Sequence, residues 1–352
     1  MSVADGVTVV SRHVKSLLVA LVALAPNSGG AQSQRDVAGD ERQVAIAAGV
    51  DDGSSAAPAC VTQHPPLLRA YRVRPPWRVA GVDYCVGYST STVLKSPATI
   101  SMAGVKVNAA TKAIVVTGNN VTLDGYDFAG WSVVTQAANT RLVNSNFNGV
   151  NPGGTQTSVI SGTLTSSNLY VGYCTIDGLS GGGRAEFLVE MEGPGLTIEY
   201  SWLKNSNSDL IGRHGNSGGN LTIQYNLTEQ AGMAGPGTHG DYLQIYGPQI
   251  DTAIIRYNTS VQAGGNTQGW IIDNSRGGEF SNNTLIGGAS YWVSVDARRL
   301  AGQFLTHDNY FDIGGYGFAY PATGRPSPLS IYTNNVNMRS GVILNPVRAR
   351  EQ

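Results

Sequence analysis

The chain has 352 residues with 23 basic and 24 acidic side chains, a net charge of −1 when histidine is neutral. So even a balance excludes a nucleic-acid binder held by a basic surface, and equally a polybasic membrane-surface protein. The 45 glycines and the 13% share of charged residues, with abundant Asn, Ser, Thr and β-branched side chains, point away from a helical protein. They point to a β-rich one with frequent turns.

Residues 1–31 read as an export signal. Arg12 and Lys15 precede the apolar run SLLVALVALA (16–25), Pro26 ends it, and the small residues Gly29, Gly30 and Ala31 offer a cleavage site. The run is too short to span a membrane, and no later apolar run is long enough. The expectation is therefore a soluble mature protein, secreted or periplasmic, with no membrane partner. Residues 32–59 are rich in Ala, Gly, Asp and Gln and read as a flexible linker. Residues 60–99 hold Pro65, Pro66, Pro75, Pro76, Pro97 and Trp77, and read as an irregular N-terminal cap. Cys60 and Cys85 could close a loop there in an oxidising compartment.

From about residue 100 the chain repeats itself. The copies are TLDGYDF (122–128), RLVNSNF (141–147), LYVGYCTI (169–176), LTIEYSWL (196–203), LTIQYNLT (221–228), AIIRYNTS (253–260), EFSNNTLI (279–286), FLTHDNYF (304–311) and SIYTNNV (330–336). Each is an alternating strand running into a small polar residue: Asp127, Asn146, Cys174, Ser201, Asn226, Asn258, Asn283, Asn309 and Asn335. A repeat of about 25 residues marks a solenoid, and it is too short for a propeller blade. Short strands and corners stacked in parallel make a β-helix of about nine coils over residues 100–345, followed by a tail at 346–352. The recurring Asn then forms a side-chain ladder at one corner. Cys174 occupies a ladder slot, so it reads as a buried small residue and not a nucleophile.

The coil length and Asn ladder resemble the right-handed parallel β-helix of the pectin-lyase-like superfamily, which includes polysaccharide lyases, glycoside hydrolases and alginate epimerases. The resemblance implies a polysaccharide partner. It specifies fold well and activity poorly.

A second strand precedes each anchor: AEFLVEMEG (185–193), SDLIGRHG (208–215), GDYLQIYG (240–247), GWIIDNSRGG (269–278) and YWVSVDARRL (291–300). Charges concentrate there. Asp209 and Asp241 each lie 17 positions before an anchor and should stack. That register sets His214 level with Tyr246 and makes the loop from about 231 to 238 an insertion ending at His239. A register of 25 would instead stack His214 on His239. The groove is expected to bind sugar through Asp209, His214, Tyr242, Tyr246, Trp270 and Arg298.

Two chemistries fit the groove. A lyase acting on an acidic, uronate-containing polysaccharide by β-elimination would use His239 as base, or His214. Arg213, Arg276 or Arg298 would neutralise the sugar carboxylate, or Ca²⁺ would do so on Glu190, Glu192, Asp241 and Asp273. The superfamily commonly uses Lys or Arg as base, and Lys204 is the sole lysine near the groove, so the match to pectate lyases is incomplete. A hydrolase would pair Asp241 with Asp209 or Asp273, although the adjacent aspartates of polygalacturonases are missing. A non-catalytic carbohydrate-binding solenoid is the third possibility.

Overall fold

The computed structural model describes residues 62–151, 157–178, 185–215, 218–234, 240–247, 249–263, 267–296, 300–312, 317–320 and 329–344. All lie in the compact unit Ser55–Gln352. The expected signal, linker and C-terminal tail, together with Cys60, His239 and Arg298, fall outside the described residues.

Strands of two to five residues alternate with tight corners. They assemble three sheets, one strand per coil, in which every third strand in sequence is a neighbour in space. Sheet 1 runs from Val105–Asn108 to Ala319–Tyr320, sheet 2 from Thr122–Asp124 to Ser330–Thr333, and sheet 3 from Asp127–Ala129 to Ile343–Leu344. Pairing is parallel except at the two ends. There Val105–Asn108 lies antiparallel on Ala113–Val116, and Ile343–Leu344 antiparallel on Asn335–Asn337. The chain is thus an all-β parallel solenoid. The reversed strands cover edges that would otherwise recruit another chain.

Inward positions stack like on like. In sheet 2 the column Leu123, Leu142, Val171, Ile198, Ile223, Ile255, Phe280 is in register through seven successive strands, and each side chain is fully buried. Each such burial is worth about 1.5–3 kcal/mol, so the repeat of apolar residues is itself the core.

The corner between sheets 2 and 3 is a single left-handed residue followed by a ladder residue. Tyr173, Tyr200, Tyr225 and Tyr257 take φ of 54°, 49°, 60° and 55°, at a cost of roughly 1–2 kcal/mol each. Two interactions offset it. The tyrosine rings stack at 5.0, 4.9 and 5.1 Å between centroids. The next residue is captured from below: Asn258 receives the backbone N–H of Asn226 at 3.1 Å and its Nδ2–H at 3.0 Å, while donating to the Ile223 carbonyl at 2.9 Å and to Asn283 Oδ1 at 3.1 Å. The same pattern continues through Asn283, Asn309 and Asn335.

The ladder is as expected from Cys174 onward, but its first two rungs differ. Cys174 N–H donates to Ser201 Oγ at 3.1 Å, and the Tyr126 N–H to Ser145 Oγ at 3.1 Å. Asp127 and Asn146 sit one residue further on and pair with each other and with Thr175 in sheet 3. The coil joining Ser145 to Cys174 holds one residue more than the Asn pattern suggests, and sequence spacing reads the more conspicuous Asn as the rung. Cys174 is a free, fully buried thiol, its pKa pushed up to about 12 by burial.

Residues 62–95 run as a strap along sheet 3. Near the C-terminal end Val73 N–H bonds Met338 O at 3.1 Å and Tyr71 OH bonds Asp312 Oδ2 at 2.7 Å. Midway His64 meets the largely buried Glu229 at 2.6 Å, and Gly87 N–H bonds Tyr200 O at 2.8 Å. Lys95 pairs with Tyr126 at the far end. Cys85, within this strap, is disulfide-bonded.

Candidate functional site

Sheet 1 settles the register that the sequence left open. Ile211 pairs with Leu243 and Arg213 with Ile245, an offset of 32. Asp209 therefore stacks on Asp241, and the His214 ring meets Tyr246 edge-on at 4.6 Å. The 25-residue register that would stack His214 on His239 does not occur. Gly232 N–H returns to the Ser208 carbonyl at 2.9 Å, and Gly240 bridges to Thr267. The extra residues of the long coil thus lie between those two glycines.

Asp209 and Asp241 are 0% and 2% exposed. The Asp241 backbone N–H donates to Asp209 Oδ1 at 2.8 Å and the Tyr246 hydroxyl to Asp209 Oδ2 at 2.6 Å. Asp241 Oδ1 accepts the Gln268 N–H at 3.0 Å. Burial, then the charges of Asp209 and Asp273, push the Asp241 carboxyl up to about 8. Burial raises Asp209 too, but its hydrogen bonds from Tyr246 and the Asp241 N–H work against that rise. The proton of the pair belongs on Asp241 at neutral pH.

Beside them, Glu190 receives the Ser158 hydroxyl at 2.6 Å and approaches His214 Nδ1 at 3.1 Å. The His214 contact, together with the Ser158 bond, lowers the Glu190 pKa against the effect of burial. His214 Nε2 is buried without a hydrogen-bond partner. It lies over Gly212, where an added Cβ would come within 3.0 Å of it. Tyr246 is 51% exposed, and burial of its hydroxyl against Asp209 raises its pKa further. Asp273, one coil on, accepts the Ser294 hydroxyl at 2.9 Å.

Several expected groove residues point elsewhere. Arg213 is wholly buried and donates to the carbonyls of Met191 at 2.5 Å and Gly218 at 3.0 Å. Burial lowers its pKa to about 10. Tyr242 and Trp270 are core residues, bonded to Gln262 Oε1 at 2.9 Å and Ser260 Oγ at 3.2 Å. The reason is a break in alternation. In the Phe187–Met191 strand, the Leu188 and Val189 N–H groups both bond the Leu210 carbonyl, at 3.1 and 3.0 Å, so two successive residues face inward. In the following coils Tyr242 and Leu243 are likewise both fully buried. Arg276 sits at the corner towards sheet 2, 3.7 Å from Asp251. Glu192 accepts the Leu164 N–H at 3.1 Å. Among the described residues no three of His, Cys, Asp or Glu gather as a metal site.

Two features escaped the sequence reading. One is the tyrosine stack at the left-handed corner, visible afterwards as the Tyr before Cys174, Ser201, Asn226 and Asn258. The other is a groove of about 580 Å³ on sheet 2 that includes Arg141, Tyr170 and Asn168.

No protein-family model matches the chain, and no significant match exists among curated proteins or solved structures.

Proposed function

We propose that the protein is an exported polysaccharide-cleaving enzyme of the pectin-lyase-like kind, working from the outer face of sheet 1 by hydrolysis. The observation that carries this reading is the buried Asp209–Asp241 pair, joined by the Asp241 N–H on Asp209 Oδ1 at 2.8 Å. In it, burial and then the charges of Asp209 and Asp273 push the Asp241 carboxyl up to about 8. Titratable groups whose environments drive their proton affinities apart mark the acid and base of glycoside hydrolysis. Asp241 is the acid that protonates the leaving oxygen. Asp273, one coil on and level with Tyr246 by register, is the carboxylate assigned as the base, and its charge also acts on Asp241. Asp209 is a positioning residue whose charge keeps the proton on Asp241. The half-exposed Tyr246 ring offers a stacking surface for a sugar. The leader-like residues 1–31 support export.

The test is incubation with a panel of neutral and uronate polysaccharides. New reducing ends without an unsaturated product are expected. Asp241→Asn should lower the rate by about 10²–10⁴ while leaving thermal unfolding cooperative. An absorbing unsaturated product would identify β-elimination instead, the reaction that sequence alone favours. Full activity in Asp241→Asn would overturn the assignment.

A further inference from the structure

Sheet 2 carries its own recess, built from a second row of corner side chains. Asn139 Nδ2 donates to Asn120 Oδ1 at 2.9 Å, and Asn168 Nδ2 to Asn139 Oδ1 at 3.1 Å. The next two positions in the row are Gly195 and Asn220. Gly195 takes φ of 79°, but Asn120, Asn139 and Asn168 tolerate 59°, 58° and 53° in the same row. A left-handed backbone alone therefore does not require glycine there. What glycine provides is a missing rung: a Cβ at 195 would collide with Asn168 Oδ1. The gap from Asn168 to Asn220 spans two coil steps, roughly 10 Å.

The wall of this gap is preorganised. The Arg141 guanidinium lies 3.8 Å from the centroid of the Tyr170 ring. The Tyr170 hydroxyl is fixed on Glu199 Oε1 at 2.7 Å, and Glu199 Oε2 is held by Gln224 Nε2 at 2.9 Å. Arg141 is exposed and forms no ion pair among the described residues, in contrast to Arg256 on the same face, which is bound to Gln224 at 3.0 Å and Glu279 at 3.3 Å. A guanidinium seated over an aromatic ring at this distance keeps N–H groups for a planar or tetrahedral anion. The Thr197 and Thr222 side chains line the same groove beside the amides, the usual partners of sugar hydroxyls.

We propose that this groove is a second glycan-binding site, separate from sheet 1, that takes a sugar residue bearing a carboxylate or sulfate group on Arg141. It does not depend on the cleavage reaction. The experiment is affinity electrophoresis of the Asp241→Asn protein through gels containing a uronate polymer, a sulfated dextran or neutral dextran. Retardation by an anionic polymer and none by neutral dextran is expected, and the two anionic gels tell carboxylate from sulfate. Arg141→Ala should weaken retardation about tenfold, the worth of one charge-assisted hydrogen bond or more. Arg69→Ala, at an exposed position on the strap, should leave it unchanged. Retardation in the anionic gels that Arg141→Ala leaves unchanged, or that is equal in neutral dextran, overturns the proposal. Cleavage is scored separately, so either assignment can fail alone.

Discussion

The backbone N–H of Asp241 is bonded to Oδ1 of Asp209 across one step of the stack, at 2.8 Å. Two carboxylates are thereby buried one above the other, and they cannot both ionise without mutual repulsion in a site of low dielectric. The pair stores a pH dependence in the fold. Asp241 binds its proton up to about pH 8 when folded, whereas an unfolded Asp loses it near its ordinary value of about 3.9. The folded state therefore holds more protons between those limits, and stability falls as pH rises through that window. The sensitivity is at most about 1.4 kcal/mol per pH unit for one group. Denaturant unfolding at several pH values should show this slope, and Asp241→Asn should flatten it and be the more stable form at pH 8.

Asp209 contributes the second-largest cause of the raised Asp241 pKa, after burial. Removing that charge in Asp209→Asn should let Asp241 ionise at lower pH. The alkaline limb of the pH–rate profile should move to the acid side, a shift that a purely structural loss would not produce. Tyr246→Phe removes a hydrogen bond that favours ionised Asp209, so the proton is shared more evenly between the two carboxyls.

The Asn ladder predicts where mutations hurt most. Asn258→Ala would take a partner from the Asn226 backbone N–H, the Asn226 Nδ2–H and the Ile223 carbonyl inside the core. Each buried polar group left unsatisfied costs about 1–3 kcal/mol, so a loss of about 3 kcal/mol or more is expected from urea titration. Asn226→Ser should be far milder, because Ser201 already serves as a rung by accepting the Cys174 N–H.

The strap is held near its C-terminal crossing by Asp312, which accepts Tyr71 OH at 2.7 Å and Arg339 at 2.6 and 2.7 Å. Asp312→Ala should free that crossing. Hydrogen exchange should quicken at Leu68 to Val73 while the ladder residues Asn226 to Asn309 stay protected. Uniform loss of protection would mean that the strap and the solenoid unfold as one unit.

Much of the architecture was legible because a solenoid writes its core as a repeat. Once one coil is placed, its neighbour must present similar side chains at the same phase, so Leu196, Leu221 and Ala253 announce one another. The stacking of Asp209 on Asp241 followed from the same counting. The first ladder rungs did not, since Ser145 is a weaker signal than Asn146 and a one-residue change in coil length moves the rung.

Sequence by itself determined the period, the parallel stacking and the polar row on five coils, because these depend on local pattern repeated at fixed spacing. Only the tertiary structure decided which way each residue of that row faces. A strand bulge, shown by two N–H groups sharing one carbonyl, puts successive residues on the same face, and the alternation that sequence reading assumes is interrupted there. Arg213, Tyr242 and Trp270 went into the core, while Asp209 and Asp241 were buried together and Arg141, on another sheet, was left with its charge exposed. Those outcomes depend on which coil packs above which, a relation that pattern along one chain implies only after the coils are stacked.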